Sequence, residues 1–173
     1  TRAEFDIKRT DCDLWVFNEA VSNKTFPQAS AVFQMHEEAI WRNPANRNDP
    51  GHYKWLAAQT DIPVYMQEVY TDVPNSIRYP LDEIIDRFKV RHFTSSVAYA
   101  LALAGYLGIY KRVEIYGVEM ETNTEYVYQR DGVTLWIGIL LGLGIEVDAH
   151  IGMFDQLLYG YEGEVVLPYD TFE

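Results

Sequence analysis

Apolar positions along the chain fall into two kinds of run. The short ones are β-branched or aromatic and bounded by polar, Gly or Pro residues: Asp13–Phe17 (DLWVF), Ala31–Met35 (AVFQM), Pro63–Met66 (PVYM), Val113–Tyr116 (VEIY) and Ile145–Val147 (IEV). Such runs fit strands buried on both faces of a parallel sheet. The longer runs carry helical spacing. Gly51–Gln59 reads as a short helix after the loop Asn43–Pro50. Leu81–Lys89 sets Leu81, Ile84, Ile85 and Phe88 on one stripe, with Pro80 at its start. Ser95–Leu107 can be capped by Thr94, Ser95 or Ser96 and stopped by Gly108, and its Ala98, Ala102 and Gly105 allow close approach to a sheet. The last helix is predicted from about Thr124 to Leu143, and from Val133 onward it is apolar on nearly every face, as a helix buried between layers would be. Gly132 and Gly138 weaken it, at roughly 1 kcal/mol each relative to Ala. Pro74–Pro80 reads as a loop. Gly160–Glu173 reads as a polar, aromatic tail with a short edge strand at Glu164–Leu167.

Strands alternating with helices predict an α/β fold, a three-layer Rossmann-like sandwich around a mostly parallel sheet. No repeat or linker interrupts the pattern, so residues 1–173 read as one domain, long enough to bury a continuous core. Hydrophobic residues at 48% and charged residues at 23% are ordinary globular values, which excludes a disordered chain. The 13 tyrosines are many, and fit either a core rim or the lining of a cleft. A net charge of −12 argues against DNA or RNA as the main partner, because phosphate backbones need a basic face. The single cysteine, Cys12, excludes an internal disulfide framework and a multi-cysteine metal site. The longest near-apolar runs, Val97–Ile109 and Val133–Ile145, fall short of the ~20 residues that span a bilayer. With no signal peptide pattern, the expectation is a soluble, cytoplasmic protein. Thr1 is not an initiator methionine, and is expected to mark a processing or cloning boundary.

Ligands of open parallel sheets bind beyond the carboxyl ends of the strands. That rule selects Asn18-Glu19, His36-Glu37-Glu38, Gln67-Glu68, the segment His92 to Ser96 before a helix, and the stretch YGVEMETNTEYVYQR, Tyr116–Arg130. His36 ends the run AVFQM and has the chemistry of a general base or phosphate contact, though it also fits a loop histidine bonded to backbone. Ser95 and Ser96 offer hydroxyls and N–H groups at a helix start, suited to an anion or simply to capping. Glu119, Glu121 and Glu125 have the oxygen chemistry for a divalent cation but lack a recognised ligand spacing, and read more simply as solvated acids. Glu125 and Gln129, one helical turn apart, form a donor–acceptor pair able to read a ribose or base edge. Walker A, G-x-S-x-G, H-E-x-x-H and EF-hand patterns are all absent from the sequence.

The runs FTSSVAYALALAGYLGIYKRVEIYGVEM, EYVYQR and LWIGILLGLGIEV, with DLWVFNEA and AVFQMH before them, resemble a Rossmann-like group that includes uncharacterised proteins of tailed bacteriophages. More distantly they resemble hydroxymethylpterin pyrophosphokinase-like (MptE-like) proteins, motility-associated glycosyltransferases and bacterial sialyltransferases that use CMP-sialic acid. The likeness covers roughly Asp11 to Gln156. It implies pocket residues Asn18, His36, Ser95, Ser96, Gly117, Glu125 and Gln129, and assigns no catalytic base. Such families usually open with a strand and a Gly-x-x-Pro-Ser or Gly-x-Gly-Pro-Ser loop for the nucleotide phosphates. This sequence lacks both, so the expectation is that the first strand and phosphate loop lie outside it.

The resemblance implies a nucleotide or nucleotide-sugar-binding, glycosyltransferase-like (sialyltransferase-like) domain with a small-molecule partner, in the host cytoplasm if phage-encoded. Two alternatives stand beside it: a non-catalytic nucleotide-binding or homo-oligomeric phage accessory protein, and a pterin pyrophosphokinase-like transferase. The last would require Mg²⁺.

Overall fold

The structure, a computed structural model, describes residues 6, 9–20, 22, 26, 28–46, 49–118 and 126–149. The predicted strand at Glu164–Leu167 and the acids Glu119, Glu121 and Glu125 lie outside the described residues. Strands β1 (Trp15–Phe17), β2 (Ala31–Gln34), β3 (Val64–Met66) and β4 (Ser76–Arg78) form a sheet in the order β1-β2-β3-β4, every pair parallel. Its register sets Phe17 opposite Phe33, and Phe33 opposite Tyr65. Strands β5 (Arg112–Ile115) and β6 (Glu146–Ala149) form a second parallel pair, with Val113 opposite Val147. The fold is α/β.

Side chains leave alternate faces of a strand, and here both faces are covered. Phe33 fills one face with Trp15, Phe17 and Tyr65 beside it. They pack on helices α3 (Leu81–Phe88), α4 (Ser96–Leu107) and α5 (Tyr126–Gly142) through residues such as Ile84, Leu101, Trp136 and Leu140. On the other face Val16, Val32, Val64 and Met66 pack on Trp41 of α1 (Glu38–Trp41) and Leu56 of α2 (His52–Ala58). All four residues of β2 are buried, which is why its sequence shows no polar alternation.

The helix signals act as the chain chemistry requires. Ser95 caps α4, its Oγ accepting from the Ala98 N–H at 3.3 Å, and Gly108 ends it at φ 65°. Gly105 faces Leu140 across the α4–α5 contact, where a Cβ would lie 3.1 Å from Leu140 Cδ2. Two elements depart from expectation. The loop predicted at Pro74–Pro80 contains β4, a three-residue edge strand whose Ile77 and Arg78 are exposed, and such a strand has no buried pattern to read. α1 is a single turn of four residues, too short for helical periodicity to show.

Winding reverses once. From β1 to β4 the chain moves steadily across the sheet, and α4 then carries it back past β1 to β5. The Tyr110 hydroxyl donates to Asp13 Oδ2 at 2.9 Å, and its ring stands edge-on to Trp15 with centroids 5.3 Å apart. β1 and β5 share no backbone ladder among the described residues. Between them lies a cleft of about 740 Å³ floored by Val97, Ala100, Leu101 and Ala104 of α4.

Candidate ligand site at the carboxyl edge

A residue with left-handed backbone follows each of the two strands that flank this cleft. After β1 the chain enters a 3₁₀ turn, Asn18–Ala20, with Asn18 at φ 50°. Asparagine is among the few residues besides glycine that accept this conformation readily. The Asn18 Oδ1 atom is buried and has no hydrogen-bond partner among the described residues. After β5, Gly117 turns at φ 66° and lines the opposite side of the cleft. Of the residues expected in the pocket, Gly117 lines this cleft; Asn18 directly follows the lining residue Phe17, and neither it nor His36, Ser95, Ser96 or Gln129 is among the lining residues.

Neighbouring β2 ends in a hydrogen-bonded chain of side chains. His36 is exposed, and its Nδ1 lies 3.0 Å from Gln34 Oε1. Gln34 Nε2 lies 2.7 Å from His52 Nε2. His52 Nδ1 lies 3.2 Å from Ser22 Oγ. Ser22 Oγ in turn donates to Asp49 Oδ2 at 2.9 Å. Gln34 and His52 are both fully buried, and His52 stacks on Trp55. The register that puts Phe17 opposite Phe33 brings Asn18 to the level of Gln34. His36, Gln34 and Asn18 therefore lie on adjacent strand ends.

Gln34 and His52 were not among the expected site residues. The only signal was a glutamine inside the apolar run AVFQM, and its partner is 18 positions away. Gln67, by contrast, is a tie between strand ends, its Nε2 donating to the Met35 carbonyl at 2.9 Å.

A second group gathers at the helix starts. Thr94 Oγ1 donates to the Gln129 carbonyl at 2.8 Å, which brings the first turn of α5 against the start of α4. Gly132 permits this contact, since a Cβ there would come within 3.1 Å of Thr94 Cβ and closer still to its hydroxyl. Trp136 Nε1 donates to the His92 carbonyl at 3.0 Å. Ser95 and Ser96 are thus held beside Gln129, with the Ser95 hydroxyl engaged as the cap. Glu125, the expected partner of Gln129, lies outside the described residues, as do the acids proposed for a metal. Among the described residues no cluster of three or more His, Cys, Asp or Glu side chains is arranged to hold a metal ion.

Charge around the cleft is mostly paired. Arg9 Nη1 lies 2.6 Å from Glu114 Oε2, and Arg112 Nη2 lies 2.6 Å from Asp148 Oδ2. The Tyr116 hydroxyl and Arg9 hold the Glu114 carboxyl below its usual range. Burial, with the bond to Asp13, pushes the Tyr110 hydroxyl up. The tyrosines serve mainly as core rim: Tyr65 stacks on Phe33, Tyr79 donates to the Tyr99 carbonyl at 2.8 Å, and Tyr53 and Tyr70 pack on Trp41. Tyr128, in the first turns of α5, is exposed.

No helix among the described residues is long and apolar enough to cross a membrane. The chain matches no protein-family model, no curated protein and no solved structure.

Proposed function

We propose that this chain binds a nucleotide or nucleotide sugar at its carboxyl edge and acts as a glycosyltransferase-like domain. The observation that carries the reading is His36, exposed just after β2 and within hydrogen-bond distance of a buried amide, on the strand end next to Asn18, whose side-chain Oδ1 has no partner among the described residues. Ligands of α/β sheets occupy the crevice where the winding reverses, and the β1–β5 cleft opens there. His36, within hydrogen-bond distance of Gln34, would supply an imidazole as the base. In glycosyl transfer it would take the proton of an acceptor hydroxyl as that oxygen bonds to the anomeric carbon and the nucleotide leaves. Asn18 Oδ1 would accept from a sugar hydroxyl or base amine. Ser95, Ser96, Gly117 and Gln129 would complete the pocket. The resemblance of the α4–β5 and α5 segments to sialyltransferase-like proteins supports the same class, by analogy of fold.

Thermal unfolding against CMP, UDP, GDP, ATP and NAD, each with and without Mg²⁺, tests the reading. A ligand at 100 times its Kd adds ~2.7 kcal/mol, which for a chain of this size raises Tm by roughly 5–11 °C. One nucleotide should stand out. A flat response to all five refutes it. His36→Ala should keep the nucleotide shift and lose transfer, and unchanged turnover would remove His36 as the base.

A further inference from the structure

We propose that the outer face of α5 docks a second copy of this chain, the two helices packing antiparallel about a two-fold axis at Gly138. A helix lying on a sheet turns a charged side to water, as α3 does with Asp82, Glu83 and Asp86. α5 does not. After Asp131 its exposed positions are Thr134, Leu135, Gly138, Leu141 and Gly142, with Leu141 54% and Leu135 39% exposed. From Gly132 to Ile145 there is no charged residue, in a chain of net charge −12. An exposed apolar face depleted of charge has the composition of an interface core.

The order of large and small residues selects the partner. Helix residues step by ~100° and ~1.5 Å, so the face is symmetric about Gly138. Thr134 and Gly142 lie one turn to either side, and Leu135 and Leu141 lie three residues away on opposite flanks. A two-fold axis across the helix at Gly138 sets that glycine on its own copy and Thr134 level with the partner's Gly142. Leu135 then falls beside the partner's Leu141 rather than onto it. A different protein would have no reason to match this symmetry, whereas a closed pair of identical faces requires it. The glycines point the same way. Gly105 and Gly132 are accounted for by Leu140 and Thr94, but a Cβ on Gly138 or Gly142 meets nothing within 4 Å, although glycine weakens a helix. Small residues at a crossing let helix axes approach to ~8 Å, and a methyl at Gly138 stays within that small class. A parallel pair would instead set the exposed Asp131 against its own copy, where like charges repel.

Sedimentation equilibrium of the whole chain at rising concentration reads the mass directly. The wild type should move from 20.0 kDa toward twice that mass. Gly138→Glu, which brings two like charges together at the axis, should stay at the chain mass with an unchanged circular dichroism spectrum. Leu141→Glu, at a half-exposed position, should do the same and serves if the first variant fails to fold. Cysteine cross-linking in a Cys12→Ser background reads the orientation. Thr134→Cys mixed with Gly142→Cys should form a disulfide-linked dimer, and Thr134→Cys alone should not, because a disulfide needs its Cα atoms within ~7 Å. A wild-type monomer at every concentration overturns the proposal and leaves the face to a different partner. A dimer that survives Gly138→Glu, or Thr134→Cys linking to itself, overturns it equally. No ligand enters any of these measurements, so a flat nucleotide screen would sink the functional reading while leaving this one standing.

Discussion

Replacing Gly132 by alanine sets two well-defined effects against each other. Both Gly132 and Gly138 lie in α5, where alanine is favoured over glycine by about 1 kcal/mol. At Gly138 a Cβ meets nothing within 4 Å, so Gly138→Ala should realise that gain of ~0.5–1 kcal/mol. At Gly132 the Cβ would press on Thr94, 3.1 Å from its Cβ and 3.2 Å from its Cγ2. Thr94 must move, which breaks its hydrogen bond to the Gln129 carbonyl, about 1 kcal/mol. Overpacking the α4–α5 start adds ~1–3 kcal/mol. Subtracting the helical gain leaves a net loss of roughly 1–3 kcal/mol for Gly132→Ala. Urea unfolding followed by circular dichroism at unchanged m gives both values from the midpoint. Thr94→Ala should recover part of the Gly132→Ala loss in the double variant, since the two side chains compete for one space. If Gly132→Ala proves as stable as Gly138→Ala, the close approach of the helix starts is wrong.

Two further substitutions separate structural from ligand-binding roles. Gln129→Ala should leave the unfolding midpoint nearly unchanged, because Thr94 bonds to the Gln129 backbone, and should lower nucleotide affinity in a titration; unfolding of the domain would show the side chain to be structural. Asp72 receives hydrogen bonds from Arg42 and from the Tyr53 hydroxyl, at 2.7 Å for the latter, and these hold its carboxyl well below the ordinary 3.8. The unfolded chain therefore takes up this proton first as the pH falls, so the contribution of Asp72 is full above the usual carboxylate range and is lost progressively below it. Asp72→Asn should lower stability at neutral pH and flatten the acid limb of a urea-midpoint profile, and an acid limb as steep as wild type would count against the pairing.

What the sequence made legible follows from the range of the forces involved. The buried strands and the capped helices announce themselves because their signals are local: β-branched runs, Ser95 at a helix start, Gly108 at its end. β4 escaped notice because an exposed three-residue edge is set by pairing with β3 rather than by its own composition. Gly132 looked like a defect of α5, and its reason, Thr94, is 38 positions away (132 − 94). His36 could be singled out from its place at a strand end, whereas the Gln34–His52 contact depends on which helix covers which strand. The separation of β5–β6 from the main sheet was equally hidden, since periodicity says that a strand is buried and not which strand lies beside it.

That separation shapes how the molecule comes apart. Among the described residues the backbone ladder of β1–β4 stops at β1 and a new one starts at β5, with no main-chain ladder between them to make the two open together. Their coupling runs through α4, which packs on β1 and β2 on one side and on α5 on the other. Cooperative unfolding is therefore transmitted by side chains: by packing on this helix and by the contacts of Tyr110 with Trp15 and Asp13 and of Arg9 with Glu114. β5, α5 and β6 can exchange their amide hydrogens as one unit while β1–β4 stay protected. A ligand touching both Asn18 and Gly117 would bridge these units and slow exchange in both.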